Sequence, residues 1–501
     1  MEQCTLVIKD QVNVKFEGLN PIVRRKISET LKFFVPYARH TPSFKLGRWD
    51  GKVSFATVGG GTYLNLLDRV LPIVIDAGYD ITIDDHRPVY DFHLPEITED
   101  LLADRIWPMD HGMAPGEPIM LKDHQVRAIN TYLGNLQSVQ SISTSAGKTI
   151  ITGALSMLVE PYGRTICIVP SKSLVEQTEE DYRNIGLDVG VFYGDRKEYG
   201  HQHTICTWQS LSVFAKKIKN KKGKVTEVDF NVSLDTADTD SGITLAQFLD
   251  GVICVMVDEV HSAKAKELSS FLMGPAAHIP IRWGLTGTIP KEDFEFLSIL
   301  SALGPVVGEV RAEELQKLGI LSNCHIHINQ MNDDHVEFTS YPAAYEYLTT
   351  DKKRLEWIAE YCRNLDGNVL ILVDRIECGE TLSDLLDADF ISGRIKTKDR
   401  KARYREVTDD SSLPFVATYG VAAVGINIPA LHHVVLVEPG KAFVRVIQSI
   451  GRGLRRTKVK DWVDIHDICS TNKFSKRHLT IRKSDYKAAG YPFTVKKINY
   501  R

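Results

Sequence analysis

Apolar and polar positions fall into three regimes along this 501-residue chain. In the first, up to about residue 95, CTLVIKD and VNVKFEG carry alternating or β-branched apolar residues, which predicts short half-buried strands. PIVRRKISETLKFF spaces its apolar residues for a helix, with Pro21 suited to the first turn. GRWDGKVSF holds a WDG turn between strand candidates and precedes a Leu-rich helix. The glycines at 59–61 read as a hairpin turn, because no Lys-Ser or Lys-Thr follows to make them a phosphate loop. Together these segments predict a small α+β domain over 1–95.

From about 118 the pattern changes to short, continuously apolar runs alternating with helical ones. SVQSIST, TICIVP, HTICTW, GVICVMVDE and IRWGLTGT are strand candidates of this kind. Such strands belong to a parallel sheet covered on both faces. The rhythm returns after about 325 with NVLILVD, DFISG, FVATYG and HHVVLVE, and GPVVGEVRAEELQKLGIL reads as the crossover between the two. The expected organisation is therefore α/β: a small N-terminal domain over 1–95, a first parallel-sheet lobe over 96–303, a linker over 304–325 and a second lobe over 326–501. One segment breaks the rhythm of the first lobe. KKIKNKKGK, followed by an acidic Ser/Thr-rich stretch, marks an insertion at about 216–245. It is either a solvated excursion or a basic finger for a nucleic-acid backbone.

Composition narrows the function classes. A hydrophobic fraction of 43%, a charged fraction of 25% and a net charge of −3 describe an ordinary globular protein, so nucleic-acid binding would have to use local patches. Residues 441–501 hold 16 Lys/Arg against 4 Asp/Glu, a basic tail suited to a polyanion. Eight cysteines include no C-x-x-C pair, and several lie in apolar strand candidates. That suits buried, reduced thiols in the cytoplasm and speaks against a zinc or iron–sulfur site. The start of the chain shows no signal peptide, and no apolar run approaches membrane-spanning length.

Three separated segments carry candidate chemistry. STSAGKT, Ser143–Thr149, ends like a P-loop, although Ile142 stands where the general pattern has its first glycine. It lies between an apolar strand and a helix, where backbone N–H groups and a helix N-terminus can face phosphates. Lys148 would then reach the β/γ-phosphates, with Thr149 on Mg²⁺. Later, VMVDEVHSA places Asp258 and Glu259 at the end of a buried strand, Asp258 to hold Mg²⁺ and Glu259 to orient or deprotonate water. Third, VIQSIGRGLRR sets Gln448, Arg452 and Arg455 about one helical turn apart, on one face. Arginine there can stabilise charge developing on a γ-phosphate.

In this order the motifs resemble those of superfamily 2 helicases over about 118–470. GKT matches motif I, DEVH (Asp258 to His261) motif II, GLTGT (Gly284 to Thr288) motif III and QSIGRGLRR motif VI. LKDHQ offers Gln125 as the adenine-reading glutamine. IVPSKSLVEQ resembles motif Ia, TWQSL motif Ic and ATYGVAAVGINIP motif V. In this superfamily the first motif often reads T-G-x-G-K-T, so the early glycine is not required; Thr144 fits and Ser145 replaces the usual glycine. Asn427 stands where motif V commonly has Asp, which speaks against a charge-dependent role there. GLTGT and DEVH resemble the branch of double-strand translocases and restriction-enzyme motors more than the DEAD-box RNA helicases.

The resemblance implies two RecA-like lobes that use ATP and Mg²⁺. It implies a nucleotide site of Gln125, Thr144, Ser145, Ala146, Gly147, Lys148, Thr149, Asp258 and Gly425. Pro170, Ser171, Thr207, Gln209 and Thr418 are implied as backbone contacts, and His261, Thr286 and Thr288 as couplers. FKLGRWDGKVSF resembles part of the accessory domain of phage UvsW-type helicases, which remodel branched DNA. Lys45, Arg48 and Lys52 make a basic turn there for a duplex or junction backbone, while Trp49 either joins that turn or packs in the core. Trp208 is expected to pack in the lobe. The implied activity is branch migration, fork regression or D-loop and R-loop unwinding in a bacterial host's cytoplasm. An RNA helicase, a duplex translocase and an ATP-gated clamp remain the alternatives.

Overall fold

The computed structural model describes the chain apart from residue 1 and residues 110–115, 144–145, 215, 220–224, 230–243, 261–265, 288, 291, 319–322, 394–413, 422–430, 441–461 and 489–490. Two compact units result: Met1–Ile142 with Lys148–Glu309, and Ser143–Gly147 with Val310–Arg501. Among the described residues no helix is long and apolar enough to cross a membrane.

The first unit begins with a four-stranded sheet of β1 (Glu2–Ile8), β2 (Asn13–Glu17), β3 (Gly61–Tyr63) and β4 (Tyr79–Asp85), in the order β3-β2-β1-β4. Alternation puts Cys4, Leu6, Ile8, Val14 and Phe16 in the core. Helices α1 (Pro21–Thr30) and α2 (Leu67–Asp76) contribute to that core. Asn20 caps α1, its Oδ1 accepting from the Val23 N–H at 2.9 Å, and Pro21 sits where its missing N–H costs nothing. A separate antiparallel ribbon pairs Lys32–Phe34 with Lys52–Ser54. Two expectations change here. The WDG turn is preceded by a short helix, Pro42–Lys45, rather than a strand. The glycines at 59–61 turn the chain from the ribbon into β3, which pairs with β2, so they join two sheets instead of closing a hairpin.

The rest of the unit is an eight-stranded sheet. Its strands are β5 (Gln137–Ile142), β6 (Arg164–Val169), β7 (Val189–Tyr193), β8 (Arg196–Lys197), β9 (His203–Thr207), β10 (Val252–Asp258), β11 (Ile281–Thr286) and β12 (Val306–Val310). Their order is β8-β7-β9-β6-β10-β11-β5-β12. From β7 through β5 every neighbouring pair is parallel. Helices α3 (Asp123–Leu133), α4 (Lys148–Val159), α5 (Lys172–Asn184), α6 (Lys266–Met273) and α7 (Asp293–Leu303) accompany it. Trp208 packs against the sheet's core, as expected. The insertion forms a two-stranded antiparallel ribbon, Lys216–Lys219 with Val225–Asp229. The supposed crossover contributes β12 and a helix, Ala312–Lys317; edge strands of mixed polarity are hard to tell from loops by pattern alone.

The N-terminal sheet is built onto this lobe. Leu297 of α7 belongs to the N-terminal core, and Phe55 meets Phe294 at a ring separation of 5.5 Å. The Gln11 N–H donates to the Ala277 carbonyl at 3.0 Å, and Asn65 Nδ2 to Gln137 Oε1 at 3.1 Å.

The second unit holds an all-parallel sheet of β13 (Asn323–Met331), β14 (Val369–Val373), β15 (Asp389–Ile391), β16 (Pro414–Thr418), β17 (His433–Val437), β18 (Trp462–Ser470) and β19 (Phe493–Ile498). Their order is β15-β16-β14-β17-β18-β13-β19. Helix α8 (Lys352–Arg363) packs its buried face into the unit's core, and α9 (Lys473–Ala488) joins β18 to β19. Of the expected basic tail, residues 441–461 lie outside the described residues, and the rest supplies β18, α9 and β19, with most of its lysines and arginines exposed. Arg482 of α9 is buried and gives a two-pronged pair to Asp467, both contacts at 2.8 Å. Charge counting could not tell this arginine from its solvated neighbours.

Candidate functional site

Five neighbouring parallel strands end at one edge of the first lobe's sheet, and nearly every described motif residue of that lobe follows one of them. Lys148 and Thr149 open α4 after β5, Pro170 and Ser171 follow β6, Thr207 ends β9, Asp258 ends β10 and Thr286 ends β11. Carboxyl ends of parallel strands are where open α/β sheets bind ligands, because the connecting loops and helix N-termini gather there. Gly147 turns into α4 with φ of 82°, a backbone state that only glycine adopts without strain.

The geometry centres on Lys148. Its Nζ lies 2.6 Å from Glu259 Oε1 and 3.5 Å from Asp258 Oδ1, with all three side chains mostly buried. Burial pulls the Lys148 pKa down, but the Asp258 and Glu259 carboxylates outweigh it and leave the ammonium more firmly protonated than a free lysine. Burial raises the Asp258 pKa, and the neighbouring Glu259 charge adds to that against the pull of Lys148. Glu259 itself has φ of 53°, unusual for a side chain with a Cβ, and its N–H donates to Asp258 Oδ1 at 2.9 Å. That local bond holds the twist which accompanies the turn of the Glu259 carboxylate towards Lys148.

These donors fit the groups the sequence implies. A fixed ammonium at a helix N-terminus matches a polyphosphate. The Thr149 hydroxyl and Asp258 carboxylate are hard oxygens suited to Mg²⁺. Gln125 lies at the start of α3 and is buried; its Oε1 accepts the Lys122 N–H at 2.9 Å, so part of its hydrogen-bonding capacity closes the helix end.

The polar residues expected on a nucleic-acid backbone divide. Thr207 Oγ1 accepts from the Ser210 N–H at 3.2 Å and bonds Ser210 Oγ at 2.8 Å, and Ser171 Oγ caps α5 through the Leu174 N–H at 3.4 Å. Both hydroxyls therefore shape helix starts as well as facing this edge. Gln209 is exposed, and Thr418 ends β16 in the second unit. Lys45, Arg48 and Lys52 are exposed on the N-terminal domain. Trp49 is half-buried and donates its Nε1 to the Lys52 carbonyl at 2.8 Å; it does not belong to the domain's core. Thr144, Ser145, His261, Thr288, Gly425, Gln448, Arg452 and Arg455 lie outside the described residues.

Sequence reasoning missed two buried charge clusters. Arg282, the second residue of β11, donates to the Leu272, Ala276 and Ala302 carbonyls at 2.6, 2.5 and 2.7 Å. An arginine inside the apolar run IRWGLT was the available signal. In the second unit Arg354 bridges Asp333 Oδ2 at 2.7 Å and Glu438 Oε1 at 2.6 Å. Nothing in the spacing of those three residues announces it.

Known proteins resemble this chain in both of its units. The family described as type III restriction enzyme, res subunit, matches residues 118–291, and the helicase conserved C-terminal domain matches 352–457. The ATP-dependent DNA helicase uvsW of Enterobacteria phage T4 is 23% identical over 456 residues, covering 86% of this chain and 83% of that protein. Its crystal structure aligns over the whole of both chains at 20% identity, with a TM-score of 0.44. A fragment of an HsdR subunit of a type I restriction enzyme from Vibrio vulnificus shares the fold, with a TM-score of 0.55 at 14% identity over 90% of this chain and 78% of that one.

Proposed function

This chain is a superfamily 2 helicase, an ATP-dependent enzyme of two RecA-like lobes, and from that premise we propose that it remodels branched DNA. The reading covers branch migration of four-way junctions, fork regression and unwinding of D-loops or R-loops. It serves recombination, repair and replication, and on it the enzyme works in the cytoplasm, that of the bacterial host if the protein is a phage's. The observation that carries it is the convergence of Lys148, Asp258, Glu259, Pro170, Ser171, Thr207 and Thr286 on one sheet edge, with an N-terminal domain sharing a core with the same lobe. The likeness to a phage DNA helicase over most of the chain supports DNA as the partner.

In this mechanism Lys148 would hold the β/γ-phosphates, and Thr149 with Asp258 would hold Mg²⁺, which would supply charge neutralisation on the phosphates. Glu259 gives up its bond to Lys148 and orients the attacking water or takes its proton. On the resemblance, Gln448, Arg452 and Arg455 would stabilise the transition-state charge, and Gly425 would take part in binding the nucleotide. Ser171, Thr207, Gln209 and Thr418 grip the backbone without reading bases, and His261, Thr286 and Thr288 relay the ATP cycle to that grip.

The test is ATP-driven dissociation of a synthetic four-way junction beside a simple fork, a plain duplex and RNA. The junction should be processed well, and Lys148→Ala should abolish DNA-stimulated ATP turnover. Full turnover in that variant would remove the assigned site. Activity on RNA or plain duplex with junctions ignored would leave the motor and remove the branched-DNA reading.

A further inference from the structure

The N-terminal ribbon carries a projection for which backbone contacts alone do not account. Between Lys32–Phe34 and Lys52–Ser54, residues 35–51 fold into a compact knuckle. Its framework is fixed by many short-range bonds. The Val35 N–H donates to the Gly51 carbonyl at 2.8 Å, the Arg48 N–H to Ser43 at 2.9 Å and the Leu46 N–H to Pro42 at 3.0 Å. Phe34 and Phe44 meet edge to face at 5.8 Å. A Cβ on Gly51, at φ of 77°, would lie 2.6 Å from the Phe34 ring and 2.9 Å from the Phe44 ring, so only glycine lets these layers close.

At the apex the chain turns through Gly47, at φ of 65°, where a Cβ would meet nothing within 4 Å. Leu46 precedes it and is 63% exposed, and Tyr37 of the same knuckle is 58% exposed. In the same knuckle and its ribbon Arg39, Lys45, Arg48 and Lys52 are exposed and none forms a salt bridge among the described residues, while the Arg39 guanidinium lies 5.5 Å over the Phe34 ring. The nearby Asp50 is engaged by Lys32 at 3.0 Å and by the Lys52 N–H at 3.0 Å. The knuckle is also anchored to the first lobe. Its ribbon runs into Phe55, which packs on Phe294 in the first turn of α7, soon after β11 ends at the motif edge.

An apolar tip on a stiff base, in a segment whose exposed Arg39, Lys45, Arg48 and Lys52 outnumber its one carboxylate, Asp50, complements base faces bordered by phosphates. We propose that this knuckle inserts Leu46 at the branch point of a DNA junction and parts the base pairs there, while Arg39, Lys45, Arg48 and Lys52 hold the flanking strands. The inference rests on the branched-DNA reading and gives that reading its strand-separating element.

The experiment uses a four-way junction carrying 2-aminopurine at the branch point. Without ATP, the wild-type enzyme should raise the fluorescence as the analogue unstacks, and Leu46→Ser should not. With ATP, Leu46→Ser should slow junction dissociation by about tenfold. ATP turnover stimulated by plain single-stranded DNA should stay within about twofold, because the motor edge is untouched. Leu46→Met should restore both junction signals. Wild-type fluorescence and dissociation in Leu46→Ser would overturn the wedge and leave the branched-DNA reading standing. An equal loss of single-strand-stimulated turnover would overturn it too, since the knuckle would then act away from the branch point. A wild-type enzyme that dissociates no junction would remove the branched-DNA reading itself, and the wedge with it.

Discussion

Glu259 is asked to do two things. It pairs with Lys148 at 2.6 Å, and in the proposed cycle it must leave that pair to serve a water molecule. Replacing it with glutamine keeps the shape and removes the base, so Glu259→Gln should still bind nucleotide but lose turnover by about 10²–10⁴-fold. Nucleotide titration beside steady-state hydrolysis checks this; a loss of binding as large as the loss of turnover would contradict it. The proposal for this residue comes from the sequence, because two adjacent acids after a buried strand have few structural uses. Their distance from Lys148 was not stated by any spacing, and it follows only once β5 and β10 lie in one parallel sheet. Gln125 shows the converse: its motif position was readable, whereas the commitment of its Oε1 to the start of α3 depends on where that helix begins.

At the scale of elements, Arg282 ties two helix ends to a strand. It takes carbonyls near the end of α6 and at the end of α7, where the helix dipoles favour a cation. Arg282→Met would leave three buried carbonyls without this donor and should cost the first unit about 3 kcal/mol, measured by urea unfolding. In the second unit β13, β17 and β18 bring His327, His433 and His466 together. His327 stacks on His466 at 5.1 Å, His433 Nδ1 lies 3.1 Å from His466 Nε2, and the Tyr361 hydroxyl bonds His466 Nδ1 at 2.7 Å. Asp464 pairs with His327 at 2.6 Å on the same face. Burial, helped by the positive charge of His433 and His327, holds the His466 pKa down to about 3. An unfolded histidine takes up its proton near pH 6.5, so the unit should lose stability as pH falls from about 6.5 toward 3. His466→Gln should flatten that slope in denaturant midpoints measured across the range. Of these three strands only β17 was legible, as the apolar run HHVVLVE; β13 and β18 mix polar and apolar residues and no strand candidate covered them. The clusters were not legible, because a polar residue inside a strand shows its partner only through register.

At the scale of the whole molecule, the N-terminal domain and the first lobe share a core through Phe55, Phe294 and Leu297. Phe55→Ala should therefore lower the thermal midpoint of both together, by about 3 kcal/mol of stability, rather than loosen the N-terminal domain alone. Calorimetry with reporters in each part would show one shifted transition; two separated transitions would contradict it. The sequence announced both regions by their different apolar periods. It did not announce their union, because residues in a shared core look the same as residues in two separate ones.

The order of strands in the second sheet bears on how the chain is made. β13 is flanked by β18 and β19, so the strand synthesised first has no neighbour until about 130 residues later. While the ribosome works through that interval, both sides of this strand, with its apolar Ile326, Ile328 and Met331, offer unpaired N–H and C=O groups. Folding of this sheet is therefore delayed until almost its whole length has emerged, and a premature stop before residue 493 leaves one side of β13 bare. Short C-terminal truncations should yield aggregated protein from cells rather than a soluble first lobe with a shortened partner.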